Sequence, residues 1–168
     1  MRGTLAFILS LALATVACGP TVDLKQHLSV SDVASGYHDA GIVNGQNRLV
    51  PTLSFKLTNG SDQPLPVLQV NALFKRTGEQ DEWGSGFLSV SDSDGLAPGA
   101  TTDVITVTSN LGYTGSEPRA EMLQNRYFVD TRVELFAKYS STQWVLLGEF
   151  PITRELRASS AASTPSAP

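Results

Sequence analysis

The chain has 168 residues, with 12 basic and 16 acidic side chains, a formal net charge of -4, 41% hydrophobic residues and a single cysteine. That length fits one domain with little room for a second, and this composition excludes a disordered, collagen-like or polytopic membrane chain. Net negative charge without clustered Lys and Arg argues against nucleic acid as a partner, and one cysteine closes no intrachain disulfide and builds no Cys-based zinc site.

The N-terminus carries an address. Arg2 is a minimal positive region, and Leu5 to Ala17 is an apolar run broken only by Ser10 and Thr15. As a helix that run would reach roughly 20 Å, short of the roughly 30 Å hydrocarbon core of a bilayer. A secretory signal needs only about 7–15 apolar residues, so residues 1–17 read as a signal peptide. Thr15-Val16-Ala17-Cys18 then resembles the lipobox of bacterial lipoproteins, with Thr15 standing where that family prefers Leu. The resemblance implies cleavage before Cys18, thioether lipidation of Cys18 and acylation of the new N-terminus. The other reading is an ordinary secretory signal with an incidental cysteine. Lipidation also leaves no thiol to oxidise in an exported protein, and several acyl chains at about 0.8 kcal/mol per buried CH₂ anchor firmly. Gly19, where an inner-membrane retention signal would have Asp, implies the outer membrane facing the periplasm in a two-membrane bacterium. The expected membrane partner is reached through the lipid on Cys18, across a tether at 18–21.

From Val22 the periodicity is two, the mark of half-buried strands. Val22, Leu24, Leu28 and Val30 alternate with polar residues, and Gly36-Tyr37-His38-Asp39 follows as a turn. The opening of Ile42–Val50 is a weaker strand candidate. Leu49, Leu53, Phe55 and Leu57 form the next set, ended by the turn-forming Asn59-Gly60-Ser61-Asp62. Leu68, Val70, Ala72 and Phe74 come next, then weaker strands at Trp83–Val90 and Asp103–Thr108, separated by Ser93-Asp94-Gly95 and Ala97-Pro98-Gly99. Ser116-Glu117-Pro118 opens a short helix through Gln124. Tyr127, Val129, Val133, Leu135 and Tyr139 face one way, and Trp144, Leu146, Phe150 and Ile152 complete the series. Residues 158–168, an Ala/Ser/Pro tail without a large apolar side chain, read as disordered.

Seven to eight strands with frequent turns, and one short helix near residues 116–125, predict an all-β fold, an antiparallel β-sandwich over residues 22–157. Thr58-Asn59-Gly60-Ser61-Asp62 before one strand and Leu96-Ala97-Pro98-Gly99 before another resemble the small immunoglobulin-like FxLYD-type modules of bacterial envelope proteins. The family's aromatic-Leu-Tyr-Asp signature is absent. The resemblance covers about a third of the chain, implies an immunoglobulin-like sandwich and carries no catalytic residue over.

Chemistry is sparse. His27 falls on a polar strand face and His38 in a turn, without metal-ligand spacing. Ser85 between Gly84 and Gly86 lacks the nucleophile-elbow pattern, and glycines in a strand serve close packing. Asp92-Ser93-Asp94-Gly95 opens like a calcium loop but lacks its third ligand and closing glutamate. Glu79, Asp81 and Glu82 read as a solvated loop, and Asn59-Gly60-Ser61, formally a glycosylation triplet, reads as a turn. Neither a catalytic residue nor a metal or cofactor is expected.

One face stands out. Phe128 and Phe136, with Arg132 between them, lie opposite the core side of their strand, as do Val145 and Leu147 on the next. If those strands pair, the five residues make an apolar patch rimmed by charge; the alternative is burial beneath the short helix. The sequence thus points to a non-enzymatic envelope lipoprotein, an interaction or assembly module with an envelope protein partner. The alternative is a periplasmic small-ligand-binding lipoprotein, with Trp83, Tyr113 and Trp144 as aromatic contacts.

Overall fold

A computed structural model describes residues 21–157; the signal segment, Cys18 and the tail at 158–168 lie outside the described residues. The chain's start is decided by Asp23. Its carboxylate accepts from the Lys25 N–H at 3.0 Å, and its carbonyl accepts from those of Gln26 and His27. The result is one helical turn, α1 (Leu24–His27), where alternation alone predicts a strand from Val22. Capping chemistry overrides periodicity there, although Leu24 still reaches the core.

Strand β1 (Leu28–Val43) turns into β2 (Gln46–Asn59) through Asn44-Gly45, both at positive φ. This is the two-residue hairpin turn that such a pair favours. The Gly36–Asp39 segment, expected as a turn, is strand: Tyr37 pairs with Pro51 and His38 with Val50. Gly36 is there for close approach, since a Cβ would sit 2.6 Å from the Arg157 side chain. Bulges flank the segment, one beside Asp32 and one beside Gly41.

The remaining strands are β3 (Leu68–Arg76), β4 (Gly84–Ser89), β5 (Ile105–Thr108), β6 (Tyr113–Gly115), β7 (Thr131–Tyr139), β8 (Val145–Pro151) and β9 (Leu156–Arg157), with α2 (Arg119–Gln124) before β7. They form two sheets, β5-β2-β1-β9 with β6 also on β2, and β4-β3-β7-β8. The chain crosses between sheets after β2, β4, β6 and β8, and the fold is an all-β sandwich. The described residues form nine strands and two short helices, and one pair among them, β1 with β9, is parallel.

Inward residues of both sheets, among them Leu53, Phe55, Leu57, Val70, Phe74, Val133 and Leu135, are fully buried in one core. Asn59 pins the end where β1 begins. Its Nδ2 donates to the carbonyls of Gln63 and Leu96, both at 2.8 Å, and its Oδ1 accepts from the N–H and hydroxyl of Ser61. Its backbone bonds Gly99 and Ala100. The two turn sequences around Asn59 and Leu96 are therefore one hydrogen-bonded unit, with the buried amide fully satisfied.

Candidate functional site

The outer face of β4-β3-β7-β8 carries the apolar surface. Phe87, Asn71, Phe136 and Leu146 stand in one cross-strand row. Phe87 is 56% exposed, Leu146 45% and Trp144 38%. The Phe87 and Trp144 rings lean toward each other over the row, edge to face at 6.3 Å, an arrangement favourable to the aromatic quadrupole. The Lys138 ammonium lies 4.9 Å from the Trp144 ring. Two ion pairs border the row on its other side, Lys75–Glu134 at 2.8 Å and Arg132–Glu149 at 3.4 Å.

Of the five residues expected on this face, Arg132 and Phe136 are there. Val145 and Leu147 are not, because a bulge between Leu135 and Phe136 shifts the register of β8. Val145 pairs with the buried Ala137 and packs on the core, as does Leu147, while Leu146 pairs with Phe136 on the outer side. A one-residue slip exchanges the faces of a strand. The expected inward set is thereby split: Trp144 and Leu146 point outward, Phe150 and Ile152 inward.

Phe128 is corrected too. It precedes β7 and is 8% exposed, wedged between Tyr37 at 5.1 Å and Tyr113 at 4.3 Å between ring centres. The Arg154 guanidinium closes over it at 5.1 Å, held by Asp130 and by the carbonyls of Leu123 and Phe128. Tyr127 and Val129, expected inward, are exposed instead. The Tyr37 hydroxyl donates to Thr131 Oγ1 at 3.1 Å, and burial pushes its phenol pKa up. Burial raises that of Tyr113 as well.

The other candidates have plain surroundings. His27 is exposed at the end of α1, and His38 is half-buried in β1. Among the described residues no three His, Cys, Asp or Glu side chains cluster as metal ligands. Gly84 and Gly86 flank Ser85 because β4 lies against β5: a Cβ at Gly86 would stand 2.5 Å from Val107 Cγ1. Asp92 and Asp94 form a turn, with Asp94 N–H donating to Asp92 Oδ1. Glu79, Asp81 and Glu82 are exposed. Trp83 and Tyr113 contact each other, ring centres 4.7 Å apart and tilted, beside Arg76, whereas Trp144 meets Phe87 and Lys138.

No protein-family profile matches the chain, and no curated protein matches it. Among solved structures it is similar to the solution structure of AT1g01470 from Arabidopsis thaliana, at 16% identity over 90% of this chain and 96% of that one, with a TM-score of 0.45. It is also similar to the X-ray structure of the Northeast Structural Genomics Consortium target SoR45, at 14% identity over 77% of this chain and 89% of that one, with a TM-score of 0.42.

Proposed function

We propose that this chain is a lipid-anchored envelope protein whose sandwich is a non-enzymatic interaction module, docking an envelope protein through the outer face of β4-β3-β7-β8. The observation that carries the reading is the row Phe87, Asn71, Phe136 and Leu146 with Trp144, a largely apolar surface interrupted by Asn71 and bordered by paired charges. Such patches mark interaction sites when folding does not need them. The anchor reading is supported by the start of the body: the Val22 N–H donates to the Tyr139 hydroxyl at 2.6 Å. Cys18 lies four residues before that point, within about 14 Å of extended chain.

Ligand binding is less well supported. At the aromatic contacts expected for it, Trp83 and Tyr113 are engaged with each other and the adjoining cleft measures only about 160 Å³. Among the described residues, the clefts that exceed the roughly 300 Å³ of small-molecule pockets contain neither of these two nor Trp144.

The test uses a photoreactive side chain at Phe87 or Leu146, and for comparison at Thr106 on the opposite sheet, in cells of the native host. A discrete adduct at the first two positions and none at Thr106 is expected. No adduct, or the same adducts at all three, would overturn the docking face. In the same cells Cys18→Ala should move the protein from salt-washed membranes to the soluble fraction; wild-type protein that washes off would refute the anchor.

A further inference from the structure

The two sides of the sandwich close differently. Where β1 meets β8, the Ser35 hydroxyl donates to the Pro151 carbonyl, and Thr153 bonds back to Ser35 through both its N–H and its hydroxyl. That side is laced shut. On the other side β4 and β5 are the free edges of their sheets. Their upper halves are tied by Asn110, whose side chain accepts from the Ser85 N–H while its own N–H donates to the Ser85 carbonyl. Below that tie the edges part. A cleft of about 370 Å³ opens there, with Leu88, Val90, Leu96, Val104 and Ile105 among its walls.

Leu88 shows what the opening does. It pairs with the fully buried Val70 and so points to the core side, yet it is 38% exposed. Val104, across the cleft, is 59% exposed.

The edge itself is unguarded. Natural sheets protect edge strands with charge, proline, bulges or short length. At the far edge of the same sheet, β8 has a bulge, Glu149 and Pro151, and β5 has only four residues. Strand β4 reads GSGFLS over six residues, in unbroken register with β3. In an antiparallel ladder alternate residues of an edge strand aim N–H and C=O away from the partner. Ser85 does so, as its bonds to Asn110 prove, and Phe87 and Ser89 share its parity. Their outward backbone groups have no partner strand among the described residues.

We propose that β4 from Phe87 to Ser89 is a strand-addition site for an extended segment of a partner protein with apolar residues at alternate positions and flanking Lys or Arg. This rests on the interaction-module reading and names the kind of partner. Main-chain bonds to the edge give affinity and alternate side chains give selectivity. Side chains on one face of the added strand enter the cleft between Leu88 and Val90 on one side and Val104 and Ile105 on the other. Those on the other face extend the row that begins at Phe87. The charge preference comes from Asp103, exposed in the cleft wall, and from Asp92 and Asp94, exposed in the turn between the wall residues Ser91 and Gly95; the walls contain no basic residue.

The probe is the capped peptide Lys-Ser-Val-Thr-Leu-Thr-Val-Ser-Lys, added to the full chain purified in mild detergent and read by titration and amide hydrogen exchange. Saturable binding that slows exchange at Phe87 and Ser89 is expected, with affinity falling at least tenfold in Ser89→Pro and in Val104→Asp and weakening with salt. Proline at Ser89 removes an outward N–H without touching the β3 ladder. A peptide N-methylated at the residues facing β4 must lose binding on the unaltered protein, so the proposal stays testable even if a variant misfolds. Absence of binding at millimolar peptide, or protection along β5 or β8 instead, would overturn it. So would protection of β4 in peptide-free protein that sediments as a dimer, which would make a second copy the occupant. Each of these results leaves the cross-linking test of the outer face to stand on its own.

Discussion

The two sheets share one core and differ in what they show to solvent. Inward, both present an unbroken series of buried apolar side chains. Outward, the β5-β2-β1 sheet shows hydroxyl pairs: Ser54 with Thr106 at 2.9 Å and Thr58 with Thr101 at 2.8 Å, both exposed, and the more buried Thr52 with Thr108 at 3.1 Å. Cross-strand pairs of this kind suit a wet surface. The β4-β3-β7-β8 sheet shows Phe87, Phe136 and Leu146 in one outward row, with Trp144, just before β8, against Phe87. Folding constrains only the inward set, since either kind of outer face leaves the core unchanged. The difference between the outer faces is therefore where an interaction role shows.

That comparison breaks if the outward aromatics prove structural. The largest expected effect belongs to a phenylalanine on neither face. Phe128→Ala empties the space between Tyr37, Tyr113 and Arg154 and should cost about 3–5 kcal/mol in chemical unfolding, the usual range for a buried phenylalanine. Phe87→Ala should stay within about 0.5 kcal/mol of the parent. A loss of 2 kcal/mol or more at Phe87, on the order of a core truncation, would mean that the row is part of the folding core.

Phe128 also shows where sequence reading runs out. Strands β3 and β7 are legible because Leu68–Phe74 and Val133–Tyr139 alternate without interruption. Phe128 has the parity of an outward residue on β7, but the strand begins only at Thr131, and tertiary packing decides where Phe128 goes. The bulge that brings Leu146 outward leaves no mark in residue type, because Val145, Leu146 and Leu147 are all apolar. Tyr37 was hidden by glycine and aspartate neighbours that resemble a turn, although Gly36 is there for the close pass of Arg157. Asn44-Gly45 was a readable hairpin signal that a strand spanning Ile42–Val50 overlooks.

A middle-sized effect sharpens the comparison from the hydroxyl-bearing sheet. Asn59, at the end of β2, is fully buried, and every polar atom of its side chain is hydrogen-bonded. Asn59→Ala takes the amide donor away from the carbonyls of Gln63 and Leu96, which keep only the Ser61 hydroxyl and the Leu65 N–H, and the loss should be about 1–3 kcal/mol. Thr106→Ala, which removes one exposed hydroxyl pair, should change stability by less than about 0.5 kcal/mol. Equal losses in thermal unfolding would show the hydroxyl pairs to be structural, and the wet face would no longer contrast with the apolar one.

The smallest effect comes from the charges at the far end of the same sheet. Asp39, on β1, is held below its ordinary pKa by the Arg119 guanidinium, with help from the Gly41 N–H. A lowered folded-state pKa means that the pair stabilises the fold fully above the unfolded value, near 3.8. That contribution fades as the pH falls through the lowered value, because the unfolded state then takes up the proton first. The pair is solvent-exposed, so its worth is below about 1 kcal/mol. Asp39→Asn should therefore lower stability slightly at pH 7 and flatten the acid limb below pH 3.8 by the same small amount, in urea midpoints measured across that range. A drop of several kcal/mol would place a structural ion pair on a sheet whose outward contacts are otherwise weak. The apolar face would then lose its claim to be the exceptional surface of the molecule.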